Sequence, residues 1–248
     1  MERDFAPMFN LVISLLLSLV VSFVLNQVVG LDAWIAVAAS LAVFALCYFL
    51  ISRLVMKKIG ALMEAAQRDV QANRADKAIK SLKDGFKYSN WQFYVKTQIN
   101  SQIGTILFLK RDFAAAFPYL EKSFVRNWVA MGMLGVCYLK KNKLGKMSET
   151  FEKATAASKK ESLLWALYAY CLDKSGERAK AIEVLEKARK KGCNDEGITG
   201  NLALLQAGKK MKMKVYGDLW FQFHLEKPGS MIKQQTKAMT GRRKMVRR

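Results

Sequence analysis

The sequence predicts an all-α chain: an N-terminal two-helix transmembrane hairpin, then an α-solenoid of about four helix pairs with a C-terminal cap. Three observations carry that prediction. Two uncharged apolar runs stand at the front, the body repeats itself at a fixed offset, and charge is shared out very unevenly between front and body. The expected boundaries are a short N-terminus over 1–10 and a hairpin over 11–55, with spans 11–30 and 33–55. The solenoid and its capping helix follow over 56–208, and a basic, aromatic extension and tail over 209–248.

The hairpin comes first. The first 55 residues hold two bases, Arg3 and Arg53, and three acids, Glu2, Asp4 and Asp32, whereas the other 193 hold 39 bases and 17 acids. Leu11 to Gly30 is uncharged, and Ala33 to Val55 is uncharged until Arg53. Each run has the roughly 20 residues needed to cross about 30 Å of hydrocarbon. Only Leu31 and Asp32 separate them, so the helices turn back tightly. "MERDFAP" lacks the basic start of a signal peptide, and the run behind it is too long for one. Arg53, Lys57 and Lys58 follow the second span and Arg3 precedes the first, while the turn carries no base. By the positive-inside rule both termini and the body are cytoplasmic, in an integral membrane protein of the inner or plasma-membrane type. Ser14, Ser18, Ser22 and Asn26 share one face of the first span, and Ala38, Ala42 and Ala45 one face of the second. Such stripes pack a hairpin on itself or meet another membrane subunit.

The body repeats. Gly135–Ala154, "GVCYLKKNKLGKMSETFEKA", aligns without gaps on Ala169–Ala188, "AYCLDKSGERAKAIEVLEKA", at an offset of 34, with seven of twenty positions identical. Small and large apolar residues recur where two antiparallel helices bury them. One unit shows Trp165, Tyr168, Ala169 and Leu172, then Gly176, then Ala181, Leu185 and Ala188. The unit before it shows Met131, Leu134, Gly135 and Tyr138, then Met147, Phe151 and Ala154. Two fainter units give Ile103, Gly104, Leu107, Ala116, Leu120 and Ser123, and Leu62, Ala65, Ala66, Ala78, Leu82 and Gly85.

These positions resemble the tetratricopeptide repeat family, whose unit is a 34-residue helix–turn–helix. The resemblance covers roughly Met56 to Cys193. It departs in spacing, with equivalent second-helix positions 38 and then 31 residues apart, and in lacking the usual proline at each unit's end. It implies stacked helix pairs and protein binding as the activity class; no cofactor is expected, since the sequence carries no Gly-rich phosphate loop or metal-ligand motif. "NDEGITGNLALLQAG", 194–208, reads as a capping helix, and "SNWQ" at Ser89–Gln92 as a capping box starting the second unit's first helix early.

Catalytic chemistry is not indicated. His224 is the only histidine, and the four cysteines (Cys47, Cys137, Cys171, Cys193) follow no CxxC or metal-ligand pattern. A solenoid offers a groove instead. In this register its first-helix faces are Met63, Gln67, Gln98, Ser101, Thr105, Phe108, Val136, Leu139, Tyr170 and Asp173, a nearly uncharged strip suited to an extended peptide or amphipathic helix of a protein partner. Some family members clamp an acidic chaperone C-terminus with Lys, Asn and Arg, which Met63 and Gln67 do not supply. The bland alternative is that part of this strip is buried between helices.

The C-terminal region mixes bases with aromatics. Lys209, Lys210, Lys212, Lys214, Trp220, Arg242, Arg243, Lys244, Arg247 and Arg248 are the candidate contacts to an anionic surface. Three readings stand: Trp220 and its neighbours pack as a final cap, they lie on anionic lipid, or they stack on RNA bases. The function expected is a membrane-anchored scaffold, held in the bilayer by its hairpin and binding protein in its groove. The alternatives are a membrane-tethered electrostatic binder of RNA, ribosomes or anionic lipid, and an accessory subunit of a larger membrane complex.

Overall fold

The computed structural model describes residues 9–30 and 32–226, and among them every regular element is helical. The chain divides into two compact units. The first runs to Ile106 and takes in 122–124; the second comprises 107–121 and the residues from Val125 onward.

The first unit opens with α1 (Phe9–Gln27) and α2 (Ala33–Gln71), which lie against each other along the hairpin. Both are long and apolar enough to cross a membrane. The polarity of this hairpin is inverted. Asn10, Ser14, Ser18 and Ser40 are buried in the seam, while Leu16, Val20, Phe23, Leu41 and Phe49 face outward. Asn10 Nδ2 donates to Ser52 Oγ at 2.6 Å, closing the seam at the end away from the turn. Ser14 and Ser18 therefore pack the hairpin on itself. On α2 the buried pair is Ala36 and Ser40, and the expected stripe of Ala38, Ala42 and Ala45 points outward. Of the two readings of that stripe, packing on α1 is corrected: in a helix apolar all round, spacing cannot say which face turns inward, and the seam takes the polar Ser40.

No break separates the second span from the first helix pair. α2 runs on for 39 residues to Gln71, because nothing between Val55 and Gln71 caps or stops a helix. Its C-terminal half pairs with α3 (Ala75–Asp84), and Ile59, Ala66, Ala78 and Leu82 are buried in this first pair. A 3₁₀ turn at Gly85–Tyr88 leads to α4 (Val95–Leu109). The expected early start of α4 at Ser89 is also corrected. Tyr94 takes a left-handed φ of 68°, which no helix continues through, so α4 begins after it.

The second unit holds α5 (Phe113–Glu121), α6 (Trp128–Lys140), α7 (Leu144–Ala157), α8 (Ser162–Lys174), α9 (Arg178–Lys190) and α10 (Glu196–Gln206), with a short α11 (Asp218–Phe221). Asn127 caps α6 by accepting from Ala130 N, and Asp195 caps α10 by accepting from Ile198 N at 2.9 Å. The segment expected to cap the solenoid thus forms a capped helix on α8 and α9.

All four helix pairs close on the same turn. Asn73, Arg111, Asn142 and Gly176 have φ of 57°, 66°, 54° and 87°. The next residue's N–H returns to a carbonyl five residues back: Arg74 to Asp69, Asp112 to Leu107, Lys143 to Tyr138 and Glu177 to Leu172. This is the Schellman closure. The turns stand 38, 31 and 34 residues apart, the same irregular offsets read from the second-helix positions. Those positions are filled accordingly, with Leu82, Leu120, Phe151 and Leu185 all fully buried.

Candidate protein-interaction face

In a stacked helix pair the second helix shows one face to solvent, and α9 does so, burying only Ala181, Leu185 and Ala188. The first helices of the second unit differ. α6 is buried at nine consecutive positions, Ala130 to Tyr138, and α8 at seven, Leu163 to Ala169. A helix buried that continuously is covered on all sides, so something lies on the face a solenoid normally leaves open.

The cover is the chain's own segment beyond α10. Trp220 and Phe223 are 1% and 0% exposed. Trp220 meets Tyr170 edge-on at 4.8 Å, and Phe223 packs on α6 at Gly132, where a Cβ would come within 3.0 Å of its ring. His224 stacks on Phe108 at 5.7 Å and meets Phe113 edge-on at 6.0 Å. Little regular structure holds this segment. α11 is four residues long, Gly217 before it has φ 59° and ψ −142°, open to glycine almost alone, and His224 has a left-handed φ of 51°.

Two energies oppose each other here. Burying each large aromatic side chain is worth roughly 1.5–3 kcal/mol. Against this, Tyr216 Oη, Trp220 Nε1, Gln222 Nε2 and His224 Nε2 are buried without a hydrogen-bond partner, four of the six such atoms among the described residues. Each costs about 1–3 kcal/mol. The segment is held by apolar contact and opposed by unmet polar groups. Beside His224 and Leu225 lies an open cleft of about 310 Å³ edged by Leu139, Lys140 and Lys174.

The ionisable groups fit packing. Burial pushes the Cys137 thiol up to about 11, with Lys141 and Lys140 pulling the other way, and raises Cys171 further. Tyr170 is pushed up to about 12, chiefly by burial and then by Glu226. Among the described residues no three His, Cys, Asp or Glu side chains gather as a metal site requires.

The expected groove residues divide between the two units. In the first, Gln67 is exposed and Met63, Gln98 and Thr105 are half-buried. Ser101 is buried, its Oγ donating to Thr97 O and accepting from Phe124 N, both at 2.8 Å, so it is a structural residue. In the second, Phe108 and Val136 are fully buried, Tyr170 lies under Trp220, and Asp173 is bound by Arg178 Nε at 2.7 Å. Leu139 alone of these five borders the open cleft. Ser101, Phe108 and Val136 are therefore corrected from partner contacts to core. Trp220 is corrected too: offered to an anionic surface, it is instead the anchor of the covering segment. Lys209, Lys210, Lys212 and Lys214 are exposed, and Arg242, Arg243, Lys244, Arg247 and Arg248 lie outside the described residues.

The residues at the centre of this face, 130–161, match the family model for the tetratricopeptide repeat. They span the end of α6's first turn through α7 and the loop beyond it. This segment is a tetratricopeptide repeat. No curated protein matches the chain. A solved structure titled "MamA RS-1 ArsTM double mutant" superposes with a TM-score of 0.47 at 17% identity, over 67% of this chain and 93% of that chain. At that score the likeness carries no argument, and the repeat assignment stands on the family match and on the geometry of α6 and α7.

Proposed function

We propose that this chain is a membrane-anchored scaffold, whose hairpin spans a bilayer and whose helix pairs hold a protein partner at the cytoplasmic face. The repeat supports the coarse reading, because tetratricopeptide helix pairs serve as protein-interaction scaffolds. The hairpin's inverted polarity is the observation that carries the anchor. Water-soluble folds bury apolar side chains, whereas here serines and an asparagine are inside and leucines, valines and phenylalanines outside. α1, at 19 residues, is about 29 Å long, the depth of the hydrocarbon. Arg53, Lys57 and Lys58, all exposed, support the cytoplasmic side for the body.

Alkaline carbonate extraction of membranes tests the anchor. The full chain is expected to stay in the pellet, and Leu16→Arg with Leu46→Arg to release it; release of the unaltered chain sinks the reading. Val29→Cys should react with a membrane-impermeant maleimide on intact cells, and Lys191→Cys only after permeabilisation. The reverse pattern inverts the topology. The scaffold itself requires a stoichiometric protein that co-purifies through high salt and nuclease; RNA or lipid alone, lost with salt, would favour the electrostatic rival. That rival already lacks part of its chemistry, since base stacking needs exposed aromatics and Trp220 and Phe223 are buried.

A second reading, an accessory subunit of a larger membrane complex, is favoured by the outward Ala38, Ala42 and Ala45, which would let another helix approach closely. Purification in mild detergent with no co-purifying membrane subunit would count against it.

A further inference from the structure

We infer that residues 218–226 are a replaceable occupant of the inner face of α6 and α8, holding in cis a site for a partner segment of the pattern Trp-x-x-Phe-x-x-Glu. The inference rests on the scaffold reading and names the partner's chemistry. Trp220, Phe223 and Glu226 stand three positions apart. The first covers Tyr170 and the second the Gly132 surface of α6. The third, Glu226, lies near Tyr170, and the open cleft beside His224 and Leu225 is edged by Lys140 and Lys174. The face thus has two aromatic positions followed by a basic rim, which suits an aromatic segment with an acidic C-terminal flank.

Three features make the occupant replaceable. It is joined through Gly217, whose backbone conformation is open almost only to glycine, and it lies outside α10 in the chain. Its internal backbone bonds are single-turn ones, Trp220 to Gly217, Phe223 to Trp220 and His224 to Phe221, so its removal breaks no helix of the solenoid. It also leaves Trp220 Nε1, Gln222 Nε2 and His224 Nε2 without partners. A trans segment that pairs even one such group gains over the cis one. The open cleft gives the competitor a place to start.

Two measurements on the full chain in detergent micelles test this. In hydrogen exchange, the amides of 218–226 are expected to open at least tenfold more readily than those of α8. Exchange only together with α8 would make the segment an integral part of the core and overturn the proposal. In the second, a fluorescent peptide of residues 216–226 is titrated onto the unaltered chain and onto Trp220→Ala with Phe223→Ala. The folded variant is expected to bind at least tenfold more tightly than the unaltered chain. A peptide carrying the same two alanines should not bind. A folded variant that ignores the peptide overturns the proposal, and if the variant does not fold, the exchange experiment on the unaltered chain decides. Neither failure touches the carbonate or topology results, so loss of this inference is distinct from loss of the scaffold reading.

Discussion

Gly135 on α6 lies against the ring of Phe151 on α7, so close that a methyl group there would overlap the ring edge. Phe151 cannot readily turn aside, since a face of its ring stacks on Tyr168 at 5.0 Å. Two effects of Gly135→Ala compete. Helix propensity favours alanine by about 1 kcal/mol, and overpacking costs about 1–3 kcal/mol. Overpacking wins, and the melting temperature should fall. Gly145 on α7 has nothing within 4 Å of a Cβ, so Gly145→Ala should raise it. Thermal melts followed by circular dichroism check the two opposite signs; a stabilising Gly135→Ala would refute the close fit.

The four pair-closing turns use different residues for one conformation. Arg111 holds φ 66° with a side chain that disfavours it, whereas Gly176 holds φ 87° without strain. Arg111→Gly should stabilise by about 0.5–1 kcal/mol, the relief of strain outweighing the extra freedom of the unfolded chain. Gly176→Ala should destabilise by about 1–2 kcal/mol. Denaturant midpoints of the two variants, compared with the parent, read both.

His224 makes the cover of α6 and α8 sensitive to acid. Burial holds its imidazole below the ordinary 6.5, Arg111 and Lys140 add to this, and a hydrogen bond with the Leu109 backbone opposes it. The unfolded chain takes up a proton near 6.5 while the folded chain does not. Stability is therefore full above that pH, and this contribution is lost as pH falls through the folded value. The denaturant midpoint should drop between about pH 7.5 and about pH 5.5 more in the parent than in His224→Phe. Equal drops would assign the acid sensitivity elsewhere.

Cys137, Cys171 and Cys193 are buried thiols, and burial raises the pKa of each. The thiolate is the reactive form, so alkylation of all three at neutral pH should wait on opening of the fold. Mass spectrometry after a short iodoacetamide exposure is expected to find them unmodified in the native chain and modified in denaturant.

In the seam of the hairpin, Asn10→Leu removes the bond to Ser52 and leaves that hydroxyl to find another partner. Interhelical hydrogen bonds in membrane proteins average about 0.6 kcal/mol, with the largest near 1.7. A loss in that range, read from detergent-induced unfolding, is expected. No loss would mean that apolar packing alone closes the seam.

Much of this architecture is legible in the sequence because two signals are local. The 34-residue offset places Phe151 and Leu185, and Ala154 and Ala188, at sites that are in fact fully buried. The apolar runs mark α1 and the first half of α2. What could not be read depends on contacts between distant residues. Phe108 and Val136 sit where a solenoid exposes its inner face, and nothing near them in sequence announces that residues 218–226 return to cover it. Trp220 among lysines has the composition of a membrane or RNA contact, because a side chain that is apolar with one polar atom suits all of those places equally. The signal that was present is the close spacing of Trp220, Phe221 and Phe223, more apolar area than an extended basic tail needs. At Ser89–Gln92 a capping pattern occurs by composition and is overruled by the backbone at Tyr94.

The unbroken α2 has a consequence for reach. Its 39 residues amount to about 58 Å, of which the proposed bilayer takes about 30 Å. The remainder is itself the first helix of the first pair. A flexible tether would let a bound partner search a volume set by linker length, and docking would then cost that freedom. Under the proposed anchoring, stiffness would replace search: the first helix pair would stand at a fixed height above the lipid, and a partner in the same membrane would meet it by lateral diffusion.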